Sequence, residues 1–199
     1  MQQIIVGVIN MSRTFFISDL HFSHKNILKY EPIRTQLIKQ FFPILSIENM
    51  TEEELLEFHD NMLIKKWNQV VRKDDTVWFL GDFAMGSRTH IAELIKRLNG
   101  RKRMIMGNHD NFPKSFYEEN GFEYVSKYPV VLKGKFILSH APIQLSTGEM
   151  YNIYGHVHGN PNFPTETPTS RCVSVERQEG YPIELEIFNN YNPTPVENH

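Results

Sequence analysis

Five short segments with the composition of strands, each followed closely by polar residues, constrain the fold of this chain more than any other feature. They are residues 14–18 (TFFIS), 76–80 (TVWFL), 101–106 (RKRMIM), 135–139 (KFILS) and 151–154 (YNIY). Short segments rich in aromatic, β-branched and other apolar residues predict strands, and TFFIS and TVWFL predict buried ones. Open α/β sheets place their ligand sites at the carboxyl ends of the strands. The polar residues are therefore expected to gather at one edge of a sheet.

Segments with helical spacing lie between several of these strands. Thr51 and Glu54 form a capping box, and apolar residues then recur at helical spacing over residues 55–71. A second apolar stripe covers residues 91–98, and residues 25–39 predict a helix in part. Strands that alternate with helices predict an α/β fold.

The remaining segments predict one domain rather than two. Residues 128–139 predict a hairpin around Lys133 and Gly134, and residues 172–176 predict a further strand. A chain of 199 residues suits a single core. The prediction is one domain over residues 1–199, with its core at about 14–188, an N-terminal extension at 1–12 and a loose tail at 189–199.

Charge and cysteine content restrict the partners and the compartment. Lys and Arg number 21 against 23 Asp and Glu, and this near balance argues against stable binding of nucleic acid. A small phosphorylated or nucleotide-like substrate stays possible, because bound cations would add positive charge. A single cysteine cannot form an internal disulfide, which favours a cytoplasmic location. No apolar run approaches a membrane span or forms a clear signal peptide, and Met11 is an alternative translation start.

The polar residues after the strands are of the types that bind divalent metals. Histidine and carboxylate ligands suit two ions of Mn, with Fe, Zn, Ni or Co as alternatives, and the absence of thiolates excludes a finger-type zinc site. Seven ligands exceed the needs of one ion and suit two ions roughly 3.5–4 Å apart, with a bridging water as nucleophile. The candidate ligands are Asp19, His21, Asp82, Asn108, His140, His156 and His158.

Taken alone, each motif fits an ordinary turn or strand better than a site. Together they hold five of the nine histidines, and packing offers no reason for that concentration. Gly81, Gly107 and Gly155 each precede a candidate ligand, and a missing side chain lets the backbone turn sharply and leaves room for metals.

The ordered motifs D-x-H, G-D, G-N-H-D, H and G-H-x-H resemble the calcineurin-like metallophosphoesterase superfamily. SDLHFSHKNI, GDFAMGS and CVSVE further resemble small bacterial and phage phosphoesterases. The resemblance implies a four-layered α/β/β/α sandwich. It implies one ion at Asp19, His21, Asp82 and His158, and a second at Asp82, Asn108, His140 and His156.

The resemblance also implies roles for two residues outside the ligand set. His109 would act as general acid to the leaving oxygen, and Asp110 would orient its imidazole. The D-R-G motif of the serine/threonine phosphatases is absent after Asp82, which argues against a phosphoprotein substrate.

The sequence leaves three interpretations of function. The first is a phosphodiesterase acting on a small nucleotide-like substrate, and the second is a phosphomonoesterase or short-oligonucleotide nuclease using the same site. The third is a non-catalytic scaffold, which the complete ligand set and His109 disfavour. The oligomeric state stays open.

Ordinary structural roles are favoured for several other residues. Arg34, Arg88 and Arg171 are candidates for contact with a substrate phosphate, but a solvated side chain is the favoured prediction for each. His59 and His90 are predicted to lie on helix surfaces. Cys172 is predicted to be buried and inert. His24 and Asn26 fit either the wall of the site or the start of a helix.

Overall fold

Two five-stranded sheets lie face to face, and helices cover one of them. The computed structural model describes residues 11–146 and 149–188. Residues 1–10 of the extension predicted at 1–12, and the whole tail predicted at 189–199, lie outside that range. The strands are β1 (Thr14–Ile17), β2 (Thr76–Phe79), β3 (Arg101–Ile105), β4 (Phe122–Ser126), β5 (Val130–Leu132), β6 (Phe136–Leu138), β7 (Tyr151–Tyr154), β8 (Glu166–Thr167), β9 (Ser170–Cys172) and β10 (Ile183–Glu184). The α-helices are α1 (Ile27–Tyr30), α2 (Ile33–Phe41), α3 (Glu52–Val70), α4 (Arg88–Arg97) and α5 (Lys114–Glu119), and 3-10 turns cover Ile47–Asn49, Val175–Arg177 and Leu185–Phe188.

Each sheet has a parallel centre, with one antiparallel edge strand in the first sheet and two in the second. The first has the order β10-β1-β2-β3-β4, in which β1 to β4 are parallel. The second has the order β5-β6-β7-β9-β8, in which β6, β7 and β9 are parallel. The sheets join where β1 ends, because the backbone N–H of Ser18 donates to the carbonyl of Val173 at 3.0 Å.

The first sheet is buried on both faces, and alternate residues therefore enter different cores. Val77 and Phe79 of β2 face the helices, whereas Trp78 faces the second sheet. All five α-helices contribute apolar residues to the helix-side core. The outer face of the second sheet carries a small cluster of Tyr154, Val157 and Cys172. No α-helix within residues 11–146 and 149–188 contributes to that cluster, so three of the four expected layers are seen.

The predicted α/β class and most predicted elements are confirmed. The capping box of α3 forms in both directions, between the Thr51 side chain and the Glu54 amide and between the Glu54 carboxylate and the Thr51 amide. The hairpin of β5 and β6 turns at Lys133 and Gly134, both with positive φ. The strand predicted at 172–176 is wrong beyond Cys172, because the chain turns into a 3-10 helix at Val175. No helix in the described part of the chain is long and apolar enough to cross a membrane.

The parallel strands of both sheets bring their carboxyl ends to the junction. Strands β1, β2 and β3 deliver the first three polar motifs there, and β6 and β7 deliver the last two. Strand β9 also ends at this junction and delivers Ser174 and Glu176. The fold therefore gathers all of these residues in one place.

A buried carboxylate fixes the start of β1 to the turn before β2. Asp75 is 2% exposed and accepts hydrogen bonds from the Arg13 guanidinium at 2.7 Å and from the backbone N–H of Arg72 at 2.8 Å. Burial raises the pKa of Asp75, but these hydrogen bonds outweigh it and the net pKa is lowered. The resulting stability is present above the unfolded pKa of about 3.9 and is lost as pH falls through the folded pKa.

We predict that Asp75→Asn lowers the free energy of unfolding by about 1–3 kcal/mol at pH 7, because a charge-assisted hydrogen bond is lost. The difference from wild type should shrink at about pH 3, which lies below the unfolded pKa of about 3.9, because the unfolded wild-type carboxyl is then protonated. Urea unfolding at both pH values measures it. Asp74→Asn, at an exposed neighbouring position, is the control. An equal loss at both pH values would contradict this account.

Candidate metal centre

The structure brings all seven predicted ligands into one cluster. Asp19, His21 and His158 form one group whose ligand atoms lie within 4.8 Å of one another. Asp82, His140 and His156 form a second group by the same measure. Asn108 joins the second group, because its Oδ1 lies 2.9 Å from His140 Nε2.

Asp82 lies between the two groups. Its Oδ2 is 3.5 Å from His21 Nε2 and 3.4 Å from His140 Nε2. One oxygen therefore faces a histidine of each group. Its other oxygen, Oδ1, accepts from the backbone N–H of His109 at 2.9 Å, which fixes the orientation of the carboxylate.

The carboxylate of Asp19 is oriented by three donors at one oxygen. Oδ2 accepts from the hydroxyls of Ser18 at 2.5 Å and Ser174 at 2.7 Å, and from the backbone N–H of His156 at 2.9 Å. Oδ1 lies 3.8 Å from His158 Nε2. The well-bonded oxygen anchors the side chain, and Oδ1 faces the first group.

The backbone is strained at most of these positions. Five of the seven candidate ligands have φ between +47° and +70°, a region that side chains rarely adopt. They are Asp19, His21, Asp82, His156 and His158. Such strain costs about 1–3 kcal/mol per residue and persists only where surrounding contacts hold it, so it indicates a functional site.

The three glycines before the motifs are required by close approach. A Cβ on Gly107 would collide with Asp82 Oδ1, and a Cβ on Gly155 would collide with Ser18 Oγ. At Gly81, which has φ +95°, it would collide with His140 Nδ1. A side chain at any of these positions would therefore displace a candidate ligand or its neighbour, as expected from the predicted need for room.

The nitrogen atoms of the cluster suit ligation of a cation. His140 Nδ1 donates to the carbonyl of Leu80 at 2.8 Å, which leaves the Nε2 lone pair for the cluster. His156 Nδ1 lies 3.1 Å from His140 Nε2, a spacing suited to two ligands about 2.0–2.1 Å from one ion.

The buried His21 imidazole gives the strongest sign that a cation belongs here. Burial, followed by the charge of Arg34, lowers the pKa of His21 to about 2, so its ring stays neutral. His21 Nε2 is buried and has no hydrogen-bond partner within the described residues. A buried, unpartnered nitrogen needs an explanation, and a divalent ion would supply the missing contact.

Comparison with known proteins agrees with this geometry. The sequence model of the calcineurin-like phosphoesterases matches residues 12–195. The chain belongs to the calcineurin-like phosphoesterase family. An uncharacterised protein of Methanocaldococcus jannaschii is 33% identical over 189 residues and covers 90% of both chains. The gene 66 protein of Mycobacterium phage L5 is 41% identical over 103 residues, which are 50% of this chain and 41% of the phage protein.

A solved structure has a fold similar to that of this chain. A protein of unknown function from Aquifex aeolicus superposes with a TM-score of 0.59 at 23% identity, over 89% of this chain and 98% of that one. At this identity the likeness shows the fold alone. Membership in the family implies a phosphoester hydrolase, and such enzymes use divalent metals.

The two predicted catalytic residues lie in different environments. The His109 side chain is exposed, and its ring centroid is 5.4 Å from that of His21. Asp110 is buried, and its oxygens accept from the backbone N–H groups of Asp82 at 2.8 Å, Phe83 at 2.9 Å and Gly107 at 2.7 Å. Asp110 therefore fastens the G-D loop to the G-N-H-D loop, and no hydrogen bond joins it to the His109 ring among the described residues. Its predicted role in orienting that ring stays a prediction. Burial raises the pKa of Asp110 to about 6.

Two predicted surface residues are buried beneath the cluster. Arg34 and His59 are both 0% exposed, so their assignments as solvated and surface residues are wrong. Arg34 lies 3.1 Å from His59 Nε2, and His59 Nδ1 donates to Asp60 at 2.9 Å. Asp60 in turn accepts from the backbone N–H of Ser23 at 2.9 Å. Helix α3 thus braces the loop that carries the first motif.

Three of the remaining assignments fit the structure, because His90 and Arg88 are exposed and Cys172 is buried. The prediction that Arg171 is solvated is wrong, because its side chain is only 19% exposed and pairs with Glu166 at 2.7 Å. His24 combines both of its expected roles. Its Nδ1 accepts from the Asn26 amide at 3.2 Å, and its ring lies 5.5 Å from that of His21.

Glu176 was missed as a site residue, although its segment contributed to the resemblance. Its Oε1 lies 3.1 Å from His158 Nδ1 and 2.6 Å from the Arg34 guanidinium. With Glu31 and His158 it forms a third group of closely spaced ligand-type atoms. Its place at the end of the CVSVE segment was the sign of it in the sequence.

We predict that Asp82→Asn lowers the number of divalent ions bound per chain below the wild-type value. The substitution keeps the shape of the side chain but removes the negative charge shared by the two groups. Metal analysis after gel filtration, with Asp74→Asn as control, measures the loss. An Asp82→Asn protein with wild-type metal content would exclude a bridging role.

Proposed function

We propose that this protein is a two-metal phosphoesterase. Asp19, His21, Asp82 and His158 hold one ion, and Asp82, Asn108, His140 and His156 hold the other. The observation that carries the proposal is the position of Asp82 Oδ2, at 3.5 Å from His21 Nε2 and 3.4 Å from His140 Nε2. A shared carboxylate between two histidine groups is the arrangement that a pair of divalent ions requires. Manganese is the metal we propose to test first.

The protein groups would divide the work around a bound phosphate. Divalent ions would neutralise charge on the phosphate oxygens and acidify the attacking water. Asp19 is held mainly through Oδ2, with one longer bond from the His156 N–H at Oδ1, and Asp82 is held through Oδ1, so both carboxylates are oriented without reorganisation. The positive φ of Asp19 and Asp82 further determines the direction in which each carboxylate leaves the backbone.

His109 is placed to assist the leaving group. Its ring is exposed at the edge of the cluster, and it has no hydrogen-bond partner among the described residues. The backbone N–H of the same residue donates to Asp82, so the Cα of His109 is anchored beside that ligand. An imidazole beside the reacting phosphate is able to donate a proton to the departing oxygen.

The arginine environment supports a diester substrate over a monoester. A phosphomonoester dianion carries one more negative charge than a diester and favours bidentate arginine contacts. The three arginines considered in the sequence are engaged elsewhere. Arg34 binds backbone carbonyls, Arg88 packs on the Phe112 ring and Arg171 pairs with Glu166. We therefore propose a phosphodiester of a small nucleotide-like molecule.

A substrate panel tests this function. Protein loaded with Mn²⁺ is assayed on bis-p-nitrophenyl phosphate, on 2′,3′- and 3′,5′-cyclic nucleotides, on p-nitrophenyl phosphate and on short oligonucleotides. Turnover of the diesters above the monoester supports the proposal. A preference for p-nitrophenyl phosphate or for oligonucleotides would instead favour a monoesterase or a nuclease. No turnover with metal bound would contradict catalysis and favour a scaffold.

We predict that His109→Ala keeps wild-type metal content but lowers kcat by about 10²–10⁴-fold, the usual contribution of a general acid. The loss should be largest for substrates with alkoxide leaving groups and smallest for p-nitrophenolate, which leaves without a proton. Kinetics on a series of leaving groups, with metal analysis of the same sample, measures both effects. Loss of metal from this variant would assign His109 to the ligand set instead.

A further inference from the structure

A buried ion pair lies directly beneath the first ligand group. The side chains of Arg34 and Glu176 are 0% and 1% exposed, and their charged atoms are 2.6 Å apart. Removing two charges from water is costly, and such a pair often contributes little net stability. Both side chains also form hydrogen bonds with the segments that carry the candidate ligands.

Arg34 holds the backbone of the first motif. One terminal nitrogen donates to the carbonyl of Asp19 at 2.6 Å, and the other donates to the carbonyl of Leu20 at 2.9 Å. Asp19 has φ +58°, so these two hydrogen bonds hold the chain at a strained residue. The planar fork of a guanidinium suits two adjacent carbonyls, and a lysine ammonium lacks that fork.

Glu176 orients the imidazole of the last motif. Arg34 Nε donates to Glu176 Oε1 at 2.6 Å, and the same oxygen is 3.1 Å from His158 Nδ1. A carboxylate only accepts hydrogen bonds, so Nδ1 carries the hydrogen and Nε2 keeps its lone pair. That Nε2 faces Asp19 Oδ1 at 3.8 Å. A carboxylate behind an imidazole also raises its basicity as a ligand.

The second ligand group has a different support. His140 donates from Nδ1 to the carbonyl of Leu80, a neutral acceptor. Arg34 and Glu176 therefore act on Asp19 and His158 and make no hydrogen bond to the second group among the described residues.

We propose that Arg34 and Glu176 are positioning residues that hold Asp19 and His158 in their ligand geometry. The pair links helix α2 to the turn after β9, and through it the first motif to the last. This inference rests on the proposed function, because it assumes that Asp19 and His158 bind a metal.

Glu176→Gln tests the inference with little change in shape. We expect the affinity for one of the two Mn²⁺ ions to fall by about 10–100-fold, the usual effect of losing such a partner, while the other affinity stays within threefold of wild type. Competition with a fluorescent chelator measures both affinities. Long-range ¹⁵N NMR of the metal-free protein reports the His158 tautomer, which should shift from Nδ1–H towards a mixture in the variant.

Two further variants separate positioning from general destabilisation. Asp75→Asn also breaks the pairing of a buried carboxylate with an arginine, but at the opposite ends of β1 and β2 from the ligands, and it should keep both affinities and the tautomer. Arg34→Lys keeps the charge beside Glu176 without the fork, and it should weaken the same ion as Glu176→Gln. If Glu176→Gln does not fold, Arg34→Lys and Glu176→Asp carry the same test.

The outcomes distinguish this inference from the proposed function. Wild-type protein that binds no divalent ion overturns both. Wild-type protein that binds two ions, with affinities and His158 tautomer unchanged in Glu176→Gln and Arg34→Lys, overturns the positioning role alone. An equal loss of metal in Asp75→Asn also overturns it, because the effect would then follow from stability.

Discussion

The whole site depends on the unusual position of one carboxylate, that of Asp82. It is 2% exposed, and burial raises its pKa, so its negative charge lacks full compensation from the protein. The same side chain faces His21 of the first sheet and His140 of the second. Gly107 must be a glycine because of it, and the Asp82 backbone N–H is held by Asp110. Such an arrangement is costly without cations and stable with them.

The rest of the architecture serves to hold strained loops around that carboxylate. Parallel strands from both sheets end at one junction, and five of the seven candidate ligands leave their strands with positive φ. Buried side chains then fasten the loops. Asp110 binds three backbone N–H groups, and Arg34 binds two backbone carbonyls. The buried charges beneath the site therefore bind backbone groups of the strained loops, a task that apolar side chains could not perform.

The sequence predicted the parts of the molecule that local chemistry determines. The capping box of α3, the hairpin at Lys133 and the strands before the polar motifs are all visible as patterns of neighbouring residues. The seven residues were gathered correctly because strand order and carboxyl ends constrain where motifs can lie. The role of the glycines before the ligands was predictable, because only a residue without a side chain allows the loops to approach one another closely.

The errors concern contacts between residues that are distant in sequence. Arg34 looks like a solvated helix residue, and only its contact with Glu176, 142 positions away, shows why it is buried. Asp110 follows His109 directly, but its hydrogen bonds to the backbone amides of the G-D loop were not predicted. His59 has a helix position that periodicity alone places on the surface. Neither a pattern nor a propensity encodes these partners, because each depends on how separate loops pack.

The most direct test of the account is the anomalous scattering of crystals grown with Mn²⁺. The account predicts two peaks, one among Asp19, His21 and His158 and one among Asn108, His140 and His156, with Asp82 contacting both. A single peak, or two peaks of which either lacks Asp82, would contradict it.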